Sequence, residues 1–424
     1  MAYPKTYYAA TANGADAFPA LANSIEVDTC IIGGGYAGLS TALGLTERGH
    51  QSIALIDAEG IGFGCSGRNG GFAFGGYSLH EHGLIKAVGK ERARELYGFT
   101  TEGIELIRQR IKKYKIDCDA VWDGVLLCNW FKDGNILINH KRFMADNFGV
   151  ELEYIAPEEL RNTVKSDRYN GALVEKNAFH FHPLKYALAI AAEAKKQGAQ
   201  LYSNTPATRI EPDGPMKTVH TPNGTIKAKQ LVICCGGYLE GLYKPLQRAS
   251  LPIATYVMVT EQLGSRRDEA FTCPHAIYDT RFAFDYYRPL PDGRIMWGGR
   301  VSVNTNEPLD LANTLYRDLL KVYPQLEGVK VDYAWQGLMS WSAHKMPQIG
   351  EERSGVWYGQ AYGGHGVAAT NITGDMLAAA IAEGDDRYRK LADRFRLTTT
   401  FGPLGKIGAE ATYRYYLLRD KLKE

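Results

Sequence analysis

The stretch Val27 to Gly38 constrains what this chain can fold into more than any other. Apolar residues run up to Gly33 as in a buried strand, and from Tyr36 to Arg48 the pattern turns helical. Gly33, Gly35 and Gly38 stand at GxGxxG spacing, and each has its own reason to be glycine. The first permits a tight turn, the second lets backbone approach a pyrophosphate, and the third lets helix pack closely on strand. Tyr36 and Ala37 then open a helix whose unpaired N–H groups and positive end suit phosphates. Gln51 to Ile56 reads as a second parallel strand closed by Asp57, where a carboxylate accepts the hydroxyls of an adenosine ribose. Glycine turns of this spacing also serve packing alone, but here strand, helix, strand and acid follow in order. An ADP-containing dinucleotide is expected.

At 424 residues the chain has length for two interleaved domains. A net charge of +2 gives no reason to expect nucleic acid or an acidic membrane surface as partner. No apolar run approaches the roughly twenty residues of a membrane span, and the polar start, Met1 to Asn23, has no apolar core of a signal peptide. The seven cysteines are scattered, with no CxxC and no Cys/His cluster at metal spacing. A reducing cytoplasm, thiols mostly buried and no metal, structural zinc included, are expected.

After Asp57 come Ala58 and a loop, Gly60 to Phe72, too rich in glycine for helix or strand. It mixes glycine with Ser66, Arg68 and Asn69, as backbone hugging a planar ring and a pyrophosphate requires. The run Gly64-Cys65-Ser66-Gly67-Arg68-Asn69-Gly70-Gly71 resembles the G-x-S-G-R-N-G-G loop of gamma-glutamylputrescine oxidase-like flavoproteins. These are FAD-dependent amine oxidases of the D-amino-acid oxidase superfamily, and the resemblance covers nearly the whole chain. It implies an α/β architecture: a Rossmann-like FAD-binding domain of glutathione-reductase type, interleaved with an α+β substrate domain built on an antiparallel sheet. The expected division is an arm at 1–24, an FAD domain at 25–80, 183–240 and 333–384, a substrate domain at 81–182 and 241–332, and a C-terminal helical arm at 385–424.

Helical periodicity marks Arg92 to Lys115, Lys132 to Phe148 and Leu184 to Gln197, with a strand at Asp123 to Cys128. His180 and His182 alternate before Pro183 and read as strand-face histidines satisfied by neighbours, not as a metal pair. Thr218 to Ile226 reads as a hairpin turning at Asn223-Gly224. The resemblance puts Ala207 beside the adenine and the turn Cys235-Gly236 under the FAD. Pro252 to Glu261 and Ala283 to Arg300 resemble the sheet flooring the substrate pocket, where Phe284, Tyr286, Tyr287 and Trp297 supply aromatic surface.

In many superfamily amino-acid oxidases a later segment reads G-x-R-P, and its arginine grips the substrate carboxylate. Aligned on Gly337 and Pro347, Met339 takes that place and His344 that of a following aspartate, which disfavours a carboxylate clamped there. The cysteine that tethers flavin in sarcosine oxidases is missing here too, so FAD is expected to be non-covalent, with Cys65 the remote alternative. The loop Gly363-Gly364-His365-Gly366-Val367 resembles the family's G-x-x-G-H-G segment, whose helix faces the flavin's pyrimidine end. His365 is thereby placed near the ring.

The sequence lacks the CxxxxC pair and second GxGxxG of a flavin disulfide reductase. The expected reaction is oxidation of a neutral amine by FAD, the imine hydrolysing to aldehyde and oxygen going to hydrogen peroxide. Gamma-glutamylputrescine is the substrate the resemblance implies, and His365, Tyr287 and Trp297 are the pocket candidates. An arginine at the pocket mouth would pair the substrate's distant carboxylate, though sequence singles none out. Sarcosine oxidases owe oxygen activation to a lysine absent from Ile295 to Arg300, so a dehydrogenase handing electrons to a carrier is the alternative. The C-terminal arm is the candidate surface for a homo-oligomer.

Overall fold

The strand Ile25–Ile32, buried on both faces from Thr29 to Ile32, is the spine of an eight-stranded sheet in a computed structural model that describes residues 3–12 and 18–424. It pairs in parallel with Ile53–Ile56 on one side and Gly224–Ile233 on the other. The path runs Gln348–Arg353, Val356–Gln360, Gly224–Ile233, Ile25–Ile32, Ile53–Ile56, Gln200–Tyr202. Parallel strands need cover on their faces, and the helices Tyr36–Glu47 and Gly366–Glu383 cross closely to give it. Gly374 makes that crossing possible, since a Cβ there would lie 2.5 Å from the Ala37 carbonyl oxygen. Ile32 stands opposite both Ile56 and Ile233, so three strands end together beside Gly33. Open parallel sheets bind ligands at that edge.

The second eight-stranded sheet runs Val331–Trp341, Leu251–Thr260, Ile295–Ser302, Tyr286–Pro289, Ala276–Asp279, Val125–Cys128, Ala172–Glu175, Glu153–Ile155. The helix Leu311–Val322 packs its leucines into the core behind it. Three expectations need correction. The strand Val331–Trp341 belongs to this sheet, so a boundary at 333 cuts a strand and moves past 341. The sheet is antiparallel except where Val125–Cys128 meets Ala276–Asp279 in parallel. The hairpin turns on Pro222-Asn223, because Thr221 already faces Gly224.

Residues 1–2 and 13–17 of the expected N-terminal arm lie outside the described residues. Within the rest of that arm, Tyr7 and Tyr8 are buried. Among the described residues no helix is long and apolar enough to cross a membrane.

His180 and His182 are both structural. His180 bonds the Pro274 carbonyl through Nε2 at 2.8 Å, and His182 accepts the Lys185 N–H through Nδ1 at the start of Pro183–Lys196. Burial, then the charge of Arg288, pushes both imidazoles down to about 3. Burial pushes the Glu175 carboxyl up to about 7. Between about pH 6.5 and 4.5 the unfolded chain gains these two histidine protons while the folded chain holds the one on Glu175, so these three groups together lower stability by about 1.4 kcal/mol per pH unit. Below about pH 4.5 Glu175 is protonated in both states and its offset ends, which doubles the contribution of these three groups. Thermal midpoints between pH 7 and 3.5 are expected to drop with that break. A midpoint level down to pH 4 would contradict it.

Candidate active site

A cavity of about 1000 Å³ lies at the strand ends of the first sheet and reaches the second. Gly33, Gly35, Tyr36 and Ala37 line one end with Asp57 and Ala58. Gly33 has φ +111°, and a Cβ on it would sit 2.5 Å from the Cys234 carbonyl oxygen, so the turn itself demands glycine. Tyr36 is anchored by its hydroxyl, which donates to the Pro183 carbonyl at 2.9 Å. The Asp57 carboxylate accepts the N–H groups of Gly34 (2.7 Å) and Glu59 (2.9 Å), which offsets part of the upward push of burial on its pKa.

The glycine loop forms the next stretch of wall through Gly64, Cys65, Ser66, Asn69 and Gly70. Ser66 Oγ accepts the Tyr36 N–H at 2.9 Å, tying loop to helix. Asn69 braces the loop internally: its Nδ2 donates to the carbonyls of Cys65 and Ser66, and its Oδ1 accepts from Gly71 N–H. Burial pushes the Cys65 thiol up to about 11, which keeps it protonated and a poor nucleophile. Ala207, Cys235 and Gly236 complete this side.

Four residues expected at the cofactor or substrate do other work, and a fifth does only part of what was expected. Gly38 is outside the wall: a Cβ there would meet the Gly33 carbonyl oxygen at 2.0 Å, so its role is helix-to-turn packing. Arg68 turns away, donating to the Gln336 carbonyl at 3.2 Å and lying over the Phe63 ring. Gly71 (φ +78°) packs against the Phe181 carbonyl and does not line the cavity. Tyr287 and Trp297 are fully buried on the opposite face of the second sheet, ring on ring at 4.5 Å. Successive strand residues point to opposite faces, and it is Tyr286 that reaches the cavity, its ring filling the space left by Gly298. Of the two segment departures, Met339 lines the cavity. His344 does not, and instead bonds Ser342 Oγ and the Arg396 carbonyl.

The opposite wall holds Gly363, Gly364, His365, Gly366 and Val367. The helix Gly366–Glu383 begins there with no side-chain cap, so its first N–H groups are free to meet a ligand. Ser78 Oγ accepts the Gly364 N–H at 2.8 Å and steadies the turn. His365 packs edge-on to Phe74 at 4.9 Å, and burial followed by His80 pushes its imidazole down to about 3. It is neutral at ordinary pH.

Sequence reading missed several wall residues. Glu59 Oε2, Ser340 Oγ and Trp341 Nε1 are buried on the cavity with no bonding partner among the described residues. Together with the uncapped start of Gly366–Glu383 and the bare Gly35, these orphan groups fit a polar dinucleotide. Tyr413, from the helix Gly402–Lys423, also lines the cavity. That helix packs on its own chain: Tyr416 stacks on Phe282 at 3.9 Å, and Asp420 accepts the N–H groups of Phe282 (2.8 Å) and Ala283 (3.4 Å). Phe282 and Ala283 are themselves wall residues, so the helix holds the loop that shapes the pocket. Asp420→Ala leaves both N–H groups unpaired. It is expected to lower kcat/KM about tenfold while FAD content holds, as steady-state kinetics and visible absorbance will show.

The family described as FAD dependent oxidoreductase (DAO) matches residues 28–380. The chain is 35% identical to the gamma-glutamylputrescine oxidoreductase of Escherichia coli K12 over 99% of each chain. It is 29% identical to a probable oxidoreductase of Haemophilus influenzae over 99% and 98%. Among solved structures, glycine oxidase from Geobacillus kaustophilus superposes with a TM-score of 0.74 at 19% identity, covering 88% of this chain and 98% of that one. L-proline dehydrogenase from P. horikoshii gives 0.70 at 19%, covering 88% and 96%.

Proposed function

This chain belongs to the DAO family of FAD dependent oxidoreductases, and from that premise we propose that it oxidises a primary amine on a long tail, gamma-glutamylputrescine or a close analogue. The observation that carries the reading is the make-up of the cavity's open side. Phe74, Tyr278, Phe284 and Tyr286 wall it with Met339, and alignment on Gly337 and Pro347 gives Met339 the place of the carboxylate-gripping arginine of superfamily amino-acid oxidases. Such a wall desolvates an amine and favours its uncharged form, the form able to give up hydride. The name borne by the Escherichia coli relative supports the substrate.

Bound FAD supplies the acceptor for the hydride taken from the carbon beside nitrogen. Gly35, Tyr36, Ala37 and Asp57 would hold its pyrophosphate and ribose, Ala207 would lie by its adenine, and Ser66, Asn69 and Gly70 would supply the wall around the ring. The uncapped N-terminus of Gly366–Glu383 offers N–H groups and positive potential to negative charge arising in the site. His365, neutral, adds no cation that would compete for the amine's place. The imine then meets water and hydrolyses to aldehyde and ammonia. The seven cysteines, all unpaired, suit a reducing cytoplasm.

Oxygen is the acceptor in this reading, with hydrogen peroxide the product. A second reading has a specific observation behind it: among the described residues no lysine lines the cavity, and lysine is what sarcosine oxidases use on oxygen. Turnover of gamma-glutamylputrescine under air separates the two. One peroxide per aldehyde supports the oxidase; aldehyde formed only with an added dye acceptor supports the dehydrogenase. No aldehyde in either case contradicts both.

A further inference from the structure

Among the described residues two arginines line the cavity, Arg209 and Arg300. Arg209 lies beside Ala207 and Thr208 at the nucleotide end and is bound to Glu211 and His220. Arg300 is on the other side, next to Thr255, Val301 and Tyr413. Its backbone is unusual. Thr255 pairs with Val301 and Tyr256 with Gly299, so Arg300 is an extra residue with no partner across the ladder. It takes φ +56°, a left-handed conformation that side-chain-bearing residues seldom adopt. Bulges of this kind bend a strand and re-aim one side chain, often beside a functional site. A regular strand would have continued the alternation set by Trp297 and Gly298; the bulge breaks it at the cavity's rim.

The guanidinium is held in place by a fork. Nε and Nη2 donate to the two oxygens of Asp318 at 2.5 and 3.0 Å, and Nη1 has no hydrogen-bond partner among the described residues. Lys321 shares the same carboxylate at 2.8 Å, so two cations face one anion and the cluster keeps a positive charge. Asp285, the other carboxylate nearby, is engaged by Arg281 at 2.6 Å. The side chain of Arg300 is 45% exposed and lines the cavity. Met339 brings no cation to the cavity, so the charge available there for an anionic group is on Arg300.

We propose that Arg300 is a specificity residue: its free Nη1 edge binds the carboxylate at the end of the substrate remote from the oxidised amine. This rests on the amine-oxidase reading and sharpens it to amines whose tails end in a carboxylate. Asp318 is a positioning residue that presents the guanidinium, and Lys321 reinforces the field without lining the pocket.

The test uses the FAD-loaded protein and two ligands that lack the oxidisable amine, N5-butylglutamine and its α-carboxamide. Binding is read by calorimetry and by the change in the flavin spectrum, so the outcome does not depend on turnover. The acid is expected to bind about tenfold more tightly than the amide, a preference weakened by salt. In Arg300→Met the two are expected to bind alike, while Arg300→Lys keeps part of the preference. Equal binding of acid and amide by the parent protein overturns the assignment, as does an undiminished preference in Arg300→Met. If the preference behaves as expected but gamma-glutamylputrescine leaves the flavin oxidised, Arg300 stands and the amine-oxidase reading fails.

Discussion

Gly35→Val is expected to give a folded protein without FAD. Gly35 has φ −83° and ψ 178°, extended backbone open to any residue, so the fold does not require glycine there. A Cβ at this position would meet only the Ser66 side chain, its Oγ at 3.0 Å, and the rest of an isopropyl group would occupy the cavity. It would stand where a pyrophosphate meets the first N–H groups of Tyr36–Glu47. Losing two charge-assisted bonds costs about 3–6 kcal/mol, roughly 10²–10⁴ in affinity. Circular dichroism should be retained while the flavin absorbance per polypeptide falls towards zero. Gly38→Val is the contrast: its Cβ meets backbone at 2.0 Å, and loss of the fold itself is expected.

Arg288→Met is expected to cost about 3–4 kcal/mol of stability and to loosen the cofactor loop. Arg288 is 1% exposed and has no carboxylate partner among the described residues. Its charge is spread over neutral acceptors instead: Nε donates to the Gly70 carbonyl at 2.8 Å, and Nη2 to the Phe181 carbonyl at 3.0 Å and Tyr8 Oη at 3.3 Å. Methionine fills much of the volume but strands these acceptors, at about 1–3 kcal/mol apiece, offset in part by removing a buried charge. Because Gly70 lines the cavity, FAD dissociation should quicken along with the fall in thermal midpoint. An unchanged midpoint would show that the acceptors re-pair.

How much of this was legible in the sequence follows from what each feature depends on. Gly33, Gly35 and Asp57 were readable because a turn, a close approach and a strand end each leave a local mark. Tyr287 and Trp297 were misplaced because alternation says that neighbours face apart without saying which face is wet. The signal was Gly298 opposite Tyr286, a missing side chain making room for a ring, and it needed the strand pairing to be seen. Arg300 was hidden in the same way, since a bulge is a mismatch between two strands and neither strand records it alone. Asp420 and Phe282 meet across 138 residues, beyond the reach of any local pattern. Arg68 sat in the loop most suggestive of cofactor and still turned outward, drawn by the Gln336 carbonyl and the Phe63 ring.

The most direct test of the account is to mix the FAD-loaded protein anaerobically with gamma-glutamylputrescine and follow the flavin absorbance. Prompt bleaching, one amine consumed per flavin and absent with glycine as substrate, is the predicted result. A flavin that stays oxidised with that amine and is bleached by a simple α-amino acid would contradict it.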